Sequence, residues 1–339
     1  MARLFVALLF SFGVSSVAWS LTTDEFVHKI SQHLVKVYVA FPNGYGMGSA
    51  VVIAPDQVVT NCHVVADAQA INIMVNDKSL PATALKADWR HDVCVLKVSG
   101  LAEMNLPHAK IGSSEKLKYE QAVYSIGFAN NSPRANATFG YVKGLYPLDD
   151  SVVVRASNTF RLGDSGGGVF DESGDLVAII AVKSPGRNAY YYNMSVEWLK
   201  KLLDVPEQSI VSQSHPAFWA EAPEKWPFFM QVVHPLKTED WARLNAIATQ
   251  WAEKEPNTTE AVYFRAVAEY GLKNTAYAEL HLKQVVSMNQ QHSGAMYYLG
   301  LIAEQNGKHA EALAMVAMLD HLQDRTAVTD LKVAMGMGE

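Results

Sequence analysis

Gly163-Asp164-Ser165-Gly166-Gly167 is the stretch on which the reading of this chain turns. It lies between two strand-length apolar runs, Ser151–Arg155 and Leu176–Val182, and its glycines allow the tight backbone turn that exposes N–H groups. A hydroxyl held beside two such donors suits attack on an acyl carbon, because the donors receive the charge that develops on oxygen. The amides of Gly163 and Ser165 are the candidates for that role.

A serine alcohol is a weak nucleophile near neutral pH, so this chemistry requires a base and a group to orient it. His63 closes the strand-like run Val58-Val59-Thr60-Asn61-Cys62-His63, and Asp92 opens Asp92-Val93-Cys94-Val95-Leu96-Lys97. A carboxylate at the head of an apolar strand is costly unless paired; an imidazole partner satisfies it and has its tautomer fixed in return. Asp88 is a competing acid, and the other ten histidines, His91 included, are expected at the surface.

Outward from these residues, Leu34 to Tyr192 reads as short strands separated by Gly, Pro, Asn and Asp, with alternation at Val35, Val37, Val39 and Phe41. Further strands are expected at Ser49–Ala54, Val58–Asn61, Ile71–Val75, Val93–Val98 and Ala122–Phe128, and a helix at Ser195–Leu203. Many strands without interleaved helices imply an all-β sandwich or barrel. Residues 204–238 then place Pro206, Pro216, Pro223, Pro227 and Pro235 among Phe218, Trp219, Trp226, Phe228 and Phe229. Prolines that dense preclude a continuous helix, and aromatics that dense point to a connector packed on its neighbours. Beyond Glu239 the pattern is helical with a period of 34, aligning Ala266 with Gly300, Ala278 with Ala312, and Tyr263-Phe264 with Tyr297-Tyr298. The expected units are 259–292 and 293–326, preceded by a helix around Trp241–Lys254. This part resembles tetratricopeptide repeats.

In the order His, Asp, Ser, the three motifs resemble the chymotrypsin-like serine peptidases, and most closely the compact bacterial trypsin-like branch near the high-temperature-requirement peptidases. Gly46-x-Gly48-Ser49-Ala50, leading into the His63 segment, belongs to the same pattern. The resemblance covers about Gly44 to Leu203. It implies a double β-barrel with catalytic residues His63, Asp92 and Ser165, and it favours Asp92 over Asp88 because Val-Cys-Val-Leu-Lys matches the family's strand. It implies an oxyanion hole made by Gly163 and Ser165, and a specificity pocket touching Thr159, Ala181 and Lys183. Thr159 is not an acid, so cleavage after Arg or Lys lacks its usual cause, and small or medium apolar residues are the expected preference. No Arg-Ile-Val-Gly-Gly-like activation site is present, which leaves Asp164 in need of an internal partner. If the three motifs meet, Cys62 and Cys94 approach one another, either as a disulfide or as two buried thiols.

The chain has 339 residues, with 28 Lys and Arg against 34 Asp and Glu, a net charge of −6. Such a balance gives no footprint for nucleic acid, and no HExxH pair, cysteine cluster or phosphate-binding glycine loop calls for a metal, nucleotide or other cofactor. Residues 1–20 carry Arg3, an apolar run from Leu4 to Val14 and small residues up to Ser20, the layout of a secretory signal peptide, with an uncleaved anchor as the alternative. The expected organisation is therefore a signal peptide at 1–20, a peptidase domain at 21–204, the connector at 205–238 and an all-α helical-repeat domain at 239–339. The expected function is a periplasmic or secreted serine endopeptidase acting on protein or peptide, without a stable membrane span after signal cleavage, whose repeats bind a protein partner. The competing expectation is a non-catalytic peptide-binding adaptor on the same fold.

Overall fold

The computed structural model describes residues 23–185, 189–210 and 214–338, so the expected signal peptide lies outside the described residues. Twelve strands form two closed antiparallel barrels. The first contains β1 (Leu34–Phe41), β2 (Gly44–Ala54), β3 (Gln57–Thr60), β4 (Ala70–Val75), β5 (Lys78–Asp88) and β6 (Val93–Val98), ordered β1-β2-β3-β6-β5-β4. The second contains β7 (Ala122–Gly127), β8 (Asn136–Leu148), β9 (Ser151–Ala156), β10 (Gly168–Asp171), β11 (Leu176–Lys183) and β12 (Tyr191–Ser195), ordered β10-β11-β12-β9-β8-β7.

Alternation explains the first barrel: Val35, Val37 and Val39 point inward with Val52, Ile71, Ile73 and Leu96, while Lys36 and Tyr38 face outward. Val123, Val142, Val154, Val169 and Ile180 fill the second. Two short helices belong to this half, α1 (Thr23–Ser31) and the single turn α2 (Cys62–Val65), which carries His63. The helix α3 (Val196–Leu203) starts where the Ser195 hydroxyl accepts the N–H of Glu197, and it buries Trp198, Leu199 and Leu202 against β5, β6 and β11.

The proline-rich segment is packed. It forms short turns at Phe218–Ala220 and Pro223–Lys225, then α4 (Phe228–Gln231) and α5 (Val233–Lys237). Phe229 stacks on Tyr146 of β8 with centroids 4.5 Å apart, and Tyr192 of β12 donates its hydroxyl to the Phe229 carbonyl at 3.2 Å. Six helices follow: α6 (Trp241–Lys254), α7 (Thr259–Gly271), α8 (Thr275–Met288), α9 (Ser293–Gln305), α10 (His309–His321) and α11 (Arg325–Ala334). The starts of α7 and α9, and of α8 and α10, are each 34 residues apart. The small residues of the period sit where helices approach: a Cβ on Gly300 would come within 2.5 Å of Leu331. Gly307 ends α9 at φ 73°, and Lys273 takes the same left-handed turn at φ 68° after α7, a position glycine would occupy without strain.

The array rests on the second barrel. Trp251 of α6 lies 6.3 Å from Tyr146 and 6.2 Å from Phe264 of α7, so barrel, connector and helices share one core. Beside it, Lys143 of β8 donates to Glu120 at 2.7 Å, to Asp324 at the start of α11 at 2.8 Å, and to Ser293 of α9 at 3.3 Å. Burial is the main influence on Glu120 and raises its pKa despite Lys143. Lys143→Met removes the only cation in these contacts and leaves two sequestered carboxylates facing one another. Its unfolding free energy should fall by about 3 kcal/mol in urea titrations, and adding Glu120→Gln should restore part of the loss.

Candidate active site

The loop between β5 and β6 holds Asp92 at φ 59°, a left-handed conformation that turns its side chain into the protein. The Asp92 carbonyl accepts from Asn61 Nδ2 at 2.9 Å and from the Cys62 N–H at 3.4 Å, which places α2 over the carboxylate. One carboxylate oxygen takes the His63 backbone N–H at 2.8 Å and the other meets His63 Nδ1 at 2.7 Å. The Asp92 side chain is 1% exposed and that of His63 32%, so the acid is sealed and the imidazole faces the cleft. An ionised carboxylate only accepts, so Nδ1 carries the proton and Nε2 is left as a base.

The acids sort cleanly. Asp88 bonds His91 Nδ1 at 2.7 Å, and the other ring nitrogen of His91 meets Asp149 of the β8–β9 turn at 3.0 Å. Arg90 clamps the same Asp149 at 2.6 and 3.2 Å, a contact that holds its carboxyl below the usual range, so the residues just before Asp92 tie one barrel to the other. His91 is not a surface residue: it is buried and stacked on Trp198 at 4.0 Å. His292 is buried too, between Tyr119 and Tyr263. In both cases aromatic partners from distant segments cover the ring, which their local sequence does not foreshadow.

The Ser165 loop of the second barrel is held by the first. Ser49 of β2 is fully buried; its N–H donates to the Ser165 carbonyl and its hydroxyl to the Gly163 carbonyl, both at 2.8 Å. A Cβ on Gly166, at φ 83°, would come within 2.2 Å of both the Ser49 carbonyl and Thr60 Oγ1, and 3.1 Å from the Asn61 nitrogen, so only glycine brings this loop against the His63 segment. A Cβ on Gly163, at φ 96°, would come within 2.6 Å of the Phe128 carbonyl. Among the described residues, no acceptor takes the N–H of Gly163 or of Ser165. The Ser165 hydroxyl points to the Ala181 carbonyl at 3.4 Å rather than to His63.

Asp164 is buried, with one oxygen bound to the Arg161 N–H at 2.8 Å. Burial raises its pKa, opposed by the backbone amides of Arg161 and Ala129 and the charge of Arg161. Of the three expected pocket residues, Ala181 sits buried at the bulge of β11 beside Ser165, whereas Thr159 and Lys183 are exposed. The Thr159 carbonyl is used by the Thr138 hydroxyl, 2.9 Å away. Cys62 and Cys94 form a disulfide across a separation of 32 residues, tying α2 to β6. Ser49 as the brace of the loop, and Trp219 against His63 at 5.3 Å, were not singled out by sequence. The Gly48-Ser49 motif was a signal for the first; nothing local marks the second.

Two outcomes follow. A raised carboxyl pKa contributes stability that is complete below the ordinary carboxylate range and is lost as pH rises through the folded value. Asp164→Asn should therefore gain thermal stability relative to wild type at pH 7 and little at pH 3, by calorimetry at both values. Replacing Cys62 and Cys94 together by Ser should cost about 3 kcal/mol in denaturant titrations, from the freed loop entropy of the unfolded chain.

Residues 48–179 match the family model described as a trypsin-like peptidase domain. A probable periplasmic serine endoprotease, DegP-like, of Pseudomonas putida (strain W619) is 39% identical over 139 residues, covering 39% of this chain and 28% of that relative. Its counterpart in Halomonas elongata is 33% identical over 138 residues, with the same shares covered. The aligned region thus spans little more than a quarter of the relatives' own length. Among solved structures, the active form of the Rv3671c protease from M. tuberculosis aligns at a TM-score of 0.49 and 21% identity, over 62% of this chain and 96% of that one. With its two six-stranded barrels and matching sequence, the β-rich half of this chain is a trypsin-like peptidase domain.

Proposed function

We propose that the protein is an exported serine endopeptidase that hydrolyses peptide bonds through an acyl-enzyme on Ser165. The observation that carries the reading is the sealed Asp92 carboxylate gripping both the backbone and Nδ1 of His63, with Nε2 left basic. In this reading the Ser165 hydroxyl leaves the Ala181 carbonyl and bonds Nε2 in the substrate complex. His63 then takes the hydroxyl proton as oxygen attacks the peptide carbonyl, and returns it to the leaving amine. The amides of Gly163 and Ser165 receive the oxyanion, and Asp92 stabilises the imidazolium; water repeats the sequence and frees Ser165. Ala181 lies beside the Ser165 hydroxyl; Thr159 supplies no acid to receive a basic substrate residue, and Lys183 could accept an acidic one or merely narrow the entrance, with small or medium apolar residues the favoured preference.

The helical array, with its 34-residue period and small residues at the helix crossings, supports tetratricopeptide-like repeats that bind a protein partner. The periplasmic relatives and the character of residues 1–20 support export to the periplasm or beyond the cell. Among the described residues no helix is long and apolar enough to cross a membrane.

A fluorophosphonate probe and an unstructured protein substrate test the catalytic assignment together. Wild type should label at Ser165 and cleave; Ser165→Ala should do neither, and Asp92→Asn should lower kcat by about four orders of magnitude. Cleavage by Ser165→Ala at the wild-type rate would refute the assignment, and a folded wild type that binds peptides yet never labels would make the chain an adaptor.

A further inference from the structure

The connector does more than join two domains. Trp219 stands edge-on to the His63 imidazole, with centroids 5.3 Å apart and planes at 86°. The preceding residue, Phe218, donates its N–H to the carbonyl of Arg90 at 3.0 Å, two residues before Asp92. Consecutive connector residues therefore touch the base and the loop that presents its acid.

Both contacts are anchored from behind. The Phe218 ring is buried 6.4 Å from Phe229, which is itself stacked on Tyr146 in the core shared with Trp251 of the helical array. Ser214, His215, Pro216, Ala217, Trp219 and Ala220 wall one side of a cleft of about 230 Å³, and His63 and Asp92 stand on the other side. The segment thus leaves the imidazole reachable and fixes one of its edges.

We infer that Trp219 is a positioning residue for His63, so that the connector, outside the peptidase fold, completes the catalytic apparatus. The ring confines the imidazole to the orientation set by Asp92, the orientation in which Nε2 can serve Ser165. The inference rests on the proposed peptidase reading. It differs from it in predicting that a truncated barrel domain with an intact triad would be a poor catalyst.

The test uses the full chain and two variants. Trp219→Ala should lower kcat on the order of tenfold or more with KM little changed, and should displace the acidic limb of the kcat profile that reports His63. Trp219→Phe, which keeps an aromatic edge, should recover most of the rate. A second readout does not need turnover: in Ser165→Ala protein, indole emission should titrate with His63 through the Trp219 contact. That component should vanish in both Trp219→Phe and His63→Ala. The emission of Trp198 beside His91 should persist in Trp219→Phe and so be subtracted, whereas any influence of His215 or Asp92 on Trp219 should persist in His63→Ala and be subtracted there. Unchanged kinetics in Trp219→Ala, or emission that ignores His63, would overturn the inference. A higher rate would overturn it too and make the segment a lid. A wild type that neither labels nor cleaves would instead sink the peptidase reading, leaving the emission titration to decide the contact.

Discussion

A carboxylate buried in protein must be fully satisfied or the fold loses several kcal/mol, and Asp92 imposes that condition on everything around it. Its oxygens are met by the backbone and ring of His63, and its carbonyl by Asn61 and Cys62. The Cys62–Cys94 bridge closes the same circle covalently. Satisfying one acid thus fixes where α2 sits, which way the imidazole faces and which nitrogen holds its proton. The loop of Ser165 answers to a second constraint, the buried Ser49, whose N–H and hydroxyl hold its carbonyls from the opposite barrel. The His63 segment is therefore fixed by contacts within the first barrel, and the Ser165 loop by contacts that cross to it from the second.

Much of this was legible beforehand, and the reasons are local. The alternation at Val35, Val37 and Val39 reported its strand because burial on one sheet face has a period of two, and the continuous apolar run Val93–Val98 reported a strand buried on both faces. The repeat period reported α7 to α10 because helix crossings demand small residues at fixed intervals. Strands β5, β8, β10 and β12 were not foreseen. β5 is largely half-buried, carries Pro81 and shifts register after Ala82, so its pattern is diluted. β8 contains Gly140, pressed against Ser157 and Asn158 just past β9, and Gly144, pressed against the Tyr146 ring of the same strand, and glycines within a strand read as turns.

In the site, His63, Asp92 and Ser165 stood out because each lies in a short motif, and the pairing of His63 with Asp92 is the part of that reading present in the geometry. Thr159 was placed by counting back from Ser165, and Ala181 and Lys183 by counting along β11; of these, Ala181 lies beside the Ser165 hydroxyl. His91 and His292 are covered in part by rings more than 100 residues away, Trp198 and Tyr119, and Trp219 meets an equally remote His63, information that no local pattern carries.

The wall of the second barrel that meets the helices has a consequence for the order of events during synthesis. Lys143 and Tyr146 leave the ribosome well before Trp251 and Asp324, the residues that cover them. Until those arrive, the half-made chain presents an aromatic, charged face with no mate, the kind of surface that attracts other chains. The peptidase half is thus a promise kept only by the last helices, and any interruption of translation within them leaves it unfinished.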